Sequence, residues 1–368
     1  MKVVESTQER ELCTCLWELT LRCNMRCMHC GSVAGRARRS ELAPDDCCAI
    51  VDELASLGCT TLTFIGGEIL LYKGWERIAR RASDRGLLVN IMTNAYGFGE
   101  TQLEQVRYAR LINVGISIDG LEVNHTRIRR RPDGFTHAVR ALDLLAREGI
   151  ATAAVTSVFQ LNFADLELLY EFLIGHGVRL WQIQLVNPMG NMAGKQNLVL
   201  DPAQVAWLID FIRDKSCERR MIVVAADSVG YYFDDSEPYI RGRRKPICVW
   251  DGCQAGITSL FIDSTGNVKG CGALYDDAFI EGNVKQRPLA EIWHDERLFS
   301  YNRAFTPQLL KGSCRGCDVA EVCMGGCRAS NYFTTGSLYE NAYCSHNGPP
   351  RDFRAVSSDA FPIFEPCR

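Results

Sequence analysis

The 368-residue sequence predicts an α/β fold, with a parallel sheet in its first 226 residues and a small cysteine-rich unit behind it. Two observations lead there. Six short apolar or β-branched runs alternate with amphipathic stretches of helical period, and strands joined by helical crossovers pair in parallel. Beyond Cys248 that alternation stops, and cysteine and glycine accumulate while helix signals thin out.

The strands are expected at 15–21, 60–65, 87–93, 111–118, 151–159 and 179–186. Between them, helix 44–57 opens on Pro44 with Asp45 and Asp46 in its first turn. It carries an apolar stripe of Ile50, Val51, Leu54 and Leu57 and stops at Gly58. Helices 73–85, 135–148 and 161–176 stop at Gly86, Gly149 and Gly177, the last with Asn162 as a candidate cap. Helix 202–214 follows Asp201 in the same way. Six such units fall short of the eight that close a full barrel.

Composition sets outer limits. The chain is 47% hydrophobic and 23% charged, ordinary for a globular protein, and its net charge of −3 gives no reason to expect nucleic acid as a partner. Its first eleven residues are polar, and no apolar run approaches ~18 residues, so neither a signal peptide nor a membrane span is expected. Eighteen cysteines without an export signal point to metal ligation in a cytoplasmic protein rather than to disulfides.

Cys23, Cys27 and Cys30 follow the first strand in the spacing C-x3-C-x2-C. Three thiolates on one short loop fit a 4Fe–4S cluster that lacks one ligand. A zinc site completed by His29 is the alternative on spacing alone. The run Cys23-Asn24-Met25-Arg26-Cys27-Met28-His29-Cys30-Gly31, after Glu18-Leu19-Thr20-Leu21-Arg22, resembles the cluster loop of the radical S-adenosylmethionine (radical SAM) enzymes.

That resemblance implies a partial (β/α)6 barrel with active groups at the carboxyl ends of its strands. It implies SAM bound to the open iron through its amine and carboxylate, and an electron donor such as flavodoxin or ferredoxin. Cleavage of SAM then gives a 5′-deoxyadenosyl radical, the cofactor carrying the difficult step. Gly66-Gly67-Glu68 ends the second strand and resembles the family segment that binds the SAM amino group, with Ile69 where the family usually has proline. Asn94, Ser117 and Asp119 end the next two strands, where ribose hydroxyls or the SAM carboxylate would lie; turn chemistry explains such residues equally. Arg129 resembles a family arginine that pairs with the SAM carboxylate.

The second constellation is larger. Cys253 and Cys271 are followed by Cys314-x2-Cys317-x5-Cys323-x3-Cys327, then Cys344. It resembles the SPASM extension of radical SAM enzymes, which implies two auxiliary 4Fe–4S clusters and three in all. By position, Cys253, Cys271 and Cys327 belong to the nearer one, with Cys248 matching an extra ligand. Cys314, Cys317, Cys323 and Cys344 belong to the farther one. The expected organisation is therefore a barrel (1–226), a linker or substrate-facing loop (227–247), a SPASM domain (248–347) and a tail (348–368). Cys13, Cys15, Cys47, Cys48, Cys59, Cys217 and Cys367 are left over, most of them read as small buried hydrophobes.

The SPASM resemblance implies a peptide substrate whose radical loses or exchanges an electron, giving a cross-link, oxidation, epimerisation or backbone rearrangement. Gly272 stands where sulfatase-maturing relatives carry an aspartate, which counts against formylglycine formation. Twenty-two residues before the first cluster cysteine leave no room for a leader-binding domain, so either a separate recognition protein is expected to deliver the precursor peptide or the barrel mouth to bind it directly. Alternatives are an oxidase or maturase acting on a small molecule or protein residue, and an iron–sulfur electron carrier. No side chain stands out as catalytic. Tyr231, Tyr232, Asp234 and Asp235 are candidates for the substrate face, and Gln182-Ile183-Gln184 and Asn187-Pro188-Met189-Gly190 for the adenine border.

Overall fold

A computed structural model describes residues 10–229, 252–344 and 346. Cys248, Cys367, Tyr231, Tyr232, Asp234 and Asp235 lie outside the described residues. The barrel portion runs β1 (Thr14–Glu18), α1 (Pro44–Ser56), β2 (Thr61–Ile65), α2 (Trp75–Asp84), β3 (Leu88–Thr93), α3 (Glu100–Ala109), β4 (Asn113–Ser117), α4 (Glu122–Arg129), α5 (Gly134–Arg147), β5 (Thr152–Val158), α6 (Leu166–Gly175), β6 (Leu180–Leu185), α7 (Pro202–Glu218) and β7 (Ile222–Ala225). After it come β8 (Ser259–Ile262), β9 (Asn267–Lys269), β10 (Gly282–Asn283), α8 (Leu289–His294), α9 (Ser300–Arg303), α10 (Ala320–Cys323) and α11 (Arg328–Thr335).

All six expected strands form, and adjacent ones pair in parallel. Every residue of β5 is buried, as a central strand covered on both faces requires. A seventh strand, β7, adds to β6; at four residues it is too short to announce itself by period. Helices α3 and α4 also extend the expected set. In α3 the buried stripe of Leu103, Val106 and Ala109 is interrupted by Arg107 and Tyr108 and is narrow enough to read as loop.

The cysteine-rich unit does not stand apart. Its β8 pairs in parallel with β1, with Cys15 beside Leu260 and Trp17 beside Ile262. The sheet order is therefore β10-β9-β8-β1-β2-β3-β4-β5-β6-β7, open at β10 and β7. One apolar core runs under both parts and includes the fully buried Trp17, Trp75, Trp181 and Trp293. Fully burying a large apolar side chain contributes about 1.5–3 kcal/mol, so these anchors hold their elements to that core. The carboxyl ends of β1 to β6 consequently open toward the segment that follows Cys271.

Candidate active site

The loop that carries the first three cysteines is gripped from three directions. Gly67 N donates to Thr20 O at 2.7 Å and Glu68 N to Arg22 O at 2.8 Å. A Cβ on Gly66 would stand 2.7 Å from Thr20 O, and one on Gly67 2.6 Å from Leu21 O, so only glycine lets the two backbones approach this closely. Glu41 accepts from Thr20 Oγ1 and Leu21 N, both at 2.8 Å. From the β6 end, Asn191 N donates to Cys30 O at 3.0 Å and its Nδ2 to Cys27 O at 2.9 Å.

Each of the three sulfurs faces an N–H: Met25 N is 3.4 Å from Cys23 Sγ, Ala34 N is 3.3 Å from Cys30 Sγ, and Arg129 Nη1 is 3.9 Å from Cys27 Sγ. Such donors stabilise thiolates that bind a cluster. Burial pushes the Cys23 thiol up to about 11 and raises Cys27 as well, so iron must supply the charge that removes their protons. Tetrahedral zinc, at ~2.3 Å per Zn–S bond, would gather sulfurs to about 3.8 Å apart. Among the described residues, the group of metal-ligating atoms lying within 4.8 Å of one another is Cys317, Asp318 and His346, not the loop cysteines. His29 does not complete a zinc site either; its Nε2 lies 3.5 Å from Asp119 Oδ2.

Cys23, Cys27 and Cys30 line a cavity of about 380 Å³ with Gly66, Gly67, Asn94, Ser117 and Arg129. Two buried polar atoms on its wall, His29 Nδ1 and Asn187 Oδ1, have no partner among the described residues, which suits a polar ligand beside the sulfurs. The residues therefore fit a cluster with a SAM-like nucleoside next to it. Gln184, Asn187 and Met189 line the same cavity, and Gln182, Ile183, Pro188 and Gly190 do not. A larger open groove of about 950 Å³ crosses the outer face of α5, lined by Arg140, Asp143 and His176 and by no cysteine.

Two expected contacts lie off the cavity lining. Glu68 is buried and accepts from Thr93 Oγ1 at 2.6 Å, Asn94 N at 2.7 Å and Leu70 N at 3.1 Å. It joins the ends of β2 and β3. Asp119 is fully buried, and its carboxylate takes Arg129 Nε at 2.6 Å and Ser157 N at 2.9 Å. Burial alone would raise the Asp119 carboxyl, but Arg129, His29 and His125 hold it below the usual carboxylate range. Asp119 thus aims Arg129 at Cys27 and the cavity.

His125 lies behind this pair and accepts Asp119 N at Nδ1, 3.2 Å away. Burial, then the positive Arg129, lower its pKa to about 3. The unfolded chain takes up a proton near pH 6.5 that the native state refuses, so stability falls as pH drops below 6.5 and levels off near 3. At pH 5 this histidine alone should cost about 2 kcal/mol. Urea midpoints at pH 7 and pH 5 check this, and the difference should shrink in His125→Gln.

A polar network that the sequence did not suggest closes the opposite wall. Glu18, at the end of β1, pairs with Arg38; Arg38 also donates to Ser264 Oγ and Tyr275 Oη, both at 2.5 Å. Tyr275 Oη donates to Glu18 Oε2 at 3.1 Å. Glu18 and Tyr275 line the cavity together with Gly272 and Ala273, directly after Cys271. Burial raises the Glu18 carboxyl despite the opposing pull of Arg38, and it also raises the Tyr275 hydroxyl. Here a carboxyl and a phenol are poised to hold or pass a proton beside whatever fills the cavity.

Farther out, Cys253, Cys323 and Cys327 share one buried cluster with Leu274, Tyr301 and Ala329, and Cys271 packs against it. Cys314, Cys317, Cys323 and Cys344 line a second pocket. Cys323 belongs to both groups. Of the left-over cysteines, Cys15, Cys47 and Cys59 are buried with thiols raised by burial, and no disulfide forms among the described residues. Nor is any helix among those residues long and apolar enough to cross a membrane.

Comparison with known proteins agrees with this geometry. The Radical SAM superfamily profile matches residues 17–173, and that of SPASM, an iron–sulfur cluster-binding domain, matches 253–318. The mycofactocin maturase of Mycobacterium ulcerans is 30% identical over 321 residues, covering 86% of this chain and 83% of that protein. An AdoMet-dependent heme synthase of Methanosarcina barkeri is 29% identical over 339 residues, 89% and 95% of the two chains. The crystal structure of Streptococcus suis SuiB bound to S-adenosylmethionine superposes with a TM-score of 0.71 at 18% identity, covering 91% of this chain and 78% of that one. A cubane-type cysteine loop at the mouth of a parallel sheet, followed by seven described cysteines in two buried groups, places the chain in the radical SAM superfamily as a member with a SPASM domain.

Proposed function

We propose that this chain is a cytoplasmic enzyme that modifies a ribosomally made peptide by hydrogen abstraction and oxidises the resulting radical toward its SPASM side. One observation carries the reading. A single cavity is walled by Cys23, Cys27 and Cys30 at one end and by Gly272, Ala273 and Tyr275, next to Cys271, at the other. A substrate placed there would lie between the two cysteine centres. When bound, the first cluster and SAM supply hydrogen-atom abstraction from an unactivated carbon. Cys23, Cys27 and Cys30 would hold that cluster, and Gly66, Gly67, Asn94, Ser117 and Arg129 would surround SAM.

An oxidative outcome also removes a proton, and Glu18 with Tyr275 would receive it. Glu18→Gln and Tyr275→Phe should leave 5′-deoxyadenosine release intact while product formation drops roughly 10²-fold, the usual worth of a general base. Quantifying both products in one anaerobic assay checks this. An unchanged product yield per 5′-deoxyadenosine would reduce the network to a brace.

The peptide substrate rests on the 30%-identical maturase and on the lining of the cavity. Among the described lining residues the cation is Arg129 alone, and it is already committed to Asp119. A neutral segment suits such a wall better than a polycarboxylate. A separate leader-recognition protein and a flavodoxin- or ferredoxin-type donor would complete the system. The heme synthase likeness, at similar identity and greater coverage of that relative, favours a second reading in which the substrate is a porphyrin. Anaerobic titration with Fe-coproporphyrin III separates the two. The peptide reading expects no saturable shift of the porphyrin absorbance at micromolar enzyme; a stoichiometric shift, with 5′-deoxyadenosine formed only when porphyrin is present, would replace it.

A further inference from the structure

Arg328, directly after Cys327 at the start of α11, is completely buried, yet no carboxylate pairs with it among the described residues. Its Nε donates to Asn302 Oδ1 at 2.8 Å, and Asn302 Nδ2 in turn donates to Cys253 O at 3.1 Å. Its Nη1 donates to Met324 O at 2.5 Å, one residue past Cys323, and to Leu338 O at 3.1 Å. The guanidinium carbon lies 5.2 Å from the Phe305 ring centre and 4.7 Å from that of Tyr339, rings that pack around Cys314 and Cys317. Nη2 is buried with no partner among the described residues.

A lone buried cation is heavily penalised unless an anion compensates it. The side chain stands between the two cysteine groups, tied through Asn302 to the backbone of Cys253 on one side, and on the other bonded to Met324 O beside Cys323 and flanked by Phe305 and Tyr339. A 4Fe–4S cluster held by four thiolates carries net negative charge in both of its usual oxidation states, and charge and N–H donors near the sulfurs set its potential.

We infer that Arg328 is the buried counter-cation shared by the two auxiliary clusters, its free Nη2 donating to a cluster or thiolate sulfur and its charge keeping both reduction potentials high. This rests on the assignment of the two auxiliary ligand sets and goes beyond it. The test is redox titration of the reconstituted full chain, followed by electron paramagnetic resonance, with wild type, Arg328→Lys and Arg328→Met compared. In Arg328→Met both auxiliary midpoints should fall while the first cluster's stays put, and Arg328→Lys should retain most of the wild-type values. Unchanged auxiliary potentials in an Arg328→Met protein with full iron would overturn the inference.

A measurement on wild type covers the case in which Arg328→Met loses iron. With arginine labelled by 15N in the guanidinium, pulsed hyperfine spectra of the reduced auxiliary clusters should show a 15N coupling, and its absence would equally overturn the proposal. Wild type that holds only about four irons would instead overturn the ligand assignment, and the role of Arg328 with it.

Discussion

Cys27→Ala should lower bound iron from about twelve atoms per chain to about eight, three cubanes becoming two, and should abolish 5′-deoxyadenosine release after reduction with dithionite. Cys27 is the most informative of the three loop cysteines. Its sulfur is buried and faces Arg129 Nη1, and its carbonyl is the anchor for Asn191 Nδ2. Alanine keeps the backbone anchor and removes only the ligand, so the loop should persist while the cluster does not. Anaerobic iron analysis with chromatography of the nucleoside product reads both effects. Nucleoside release that survived the substitution would mean that Cys27 is not a ligand.

The second large effect concerns the fold beneath that loop. Asp119→Ala leaves Arg129 buried without its carboxylate, and breaking a buried pair in this way costs about 3–5 kcal/mol. Removing both charges in Asp119→Ala/Arg129→Met should restore much of that loss, because the main penalty is the uncompensated cation and not the missing attraction. Urea unfolding of the four proteins gives the coupling directly. Additive losses would show the two side chains acting independently, contrary to the 2.6 Å contact. The double variant, though stable, should bind SAM poorly, since it lacks the Arg129 guanidinium that lines the cavity.

How much of this could be read from the chain follows the sequence distance of each feature. The loop cysteines lie within eight residues of one another, and their spacing alone carries the chemistry. Gly66-Gly67-Glu68 was legible as a site but not for its main structural role. The glycines let β2 approach the backbone of 20–22, and Glu68 ties β2 to β3. Asp119 was likewise visible as a polar strand end. That it turns inward to Arg129 and Ser157 depends on α4 folding back over β4, and that helix gave little signal.

The opposite wall was not legible at all. Glu18 and Tyr275 are 257 residues apart and meet only because β8 adds to β1 and carries the segment after Cys271 to the barrel mouth. No local pattern specifies which edge of a sheet a later hairpin will join. The same holds for Arg328, an ordinary arginine in sequence. Its burial between two cysteine groups follows from the packing of α9 and α11 around Asn302.

The central claim is that the cluster held by Cys23, Cys27 and Cys30 has one iron open to SAM. Electron paramagnetic resonance of the reduced protein, with the auxiliary ligands Cys271 and Cys317 replaced by alanine, isolates that cluster. Adding SAM should shift its g values. A spectrum that stayed the same at saturating SAM would contradict the account at its source.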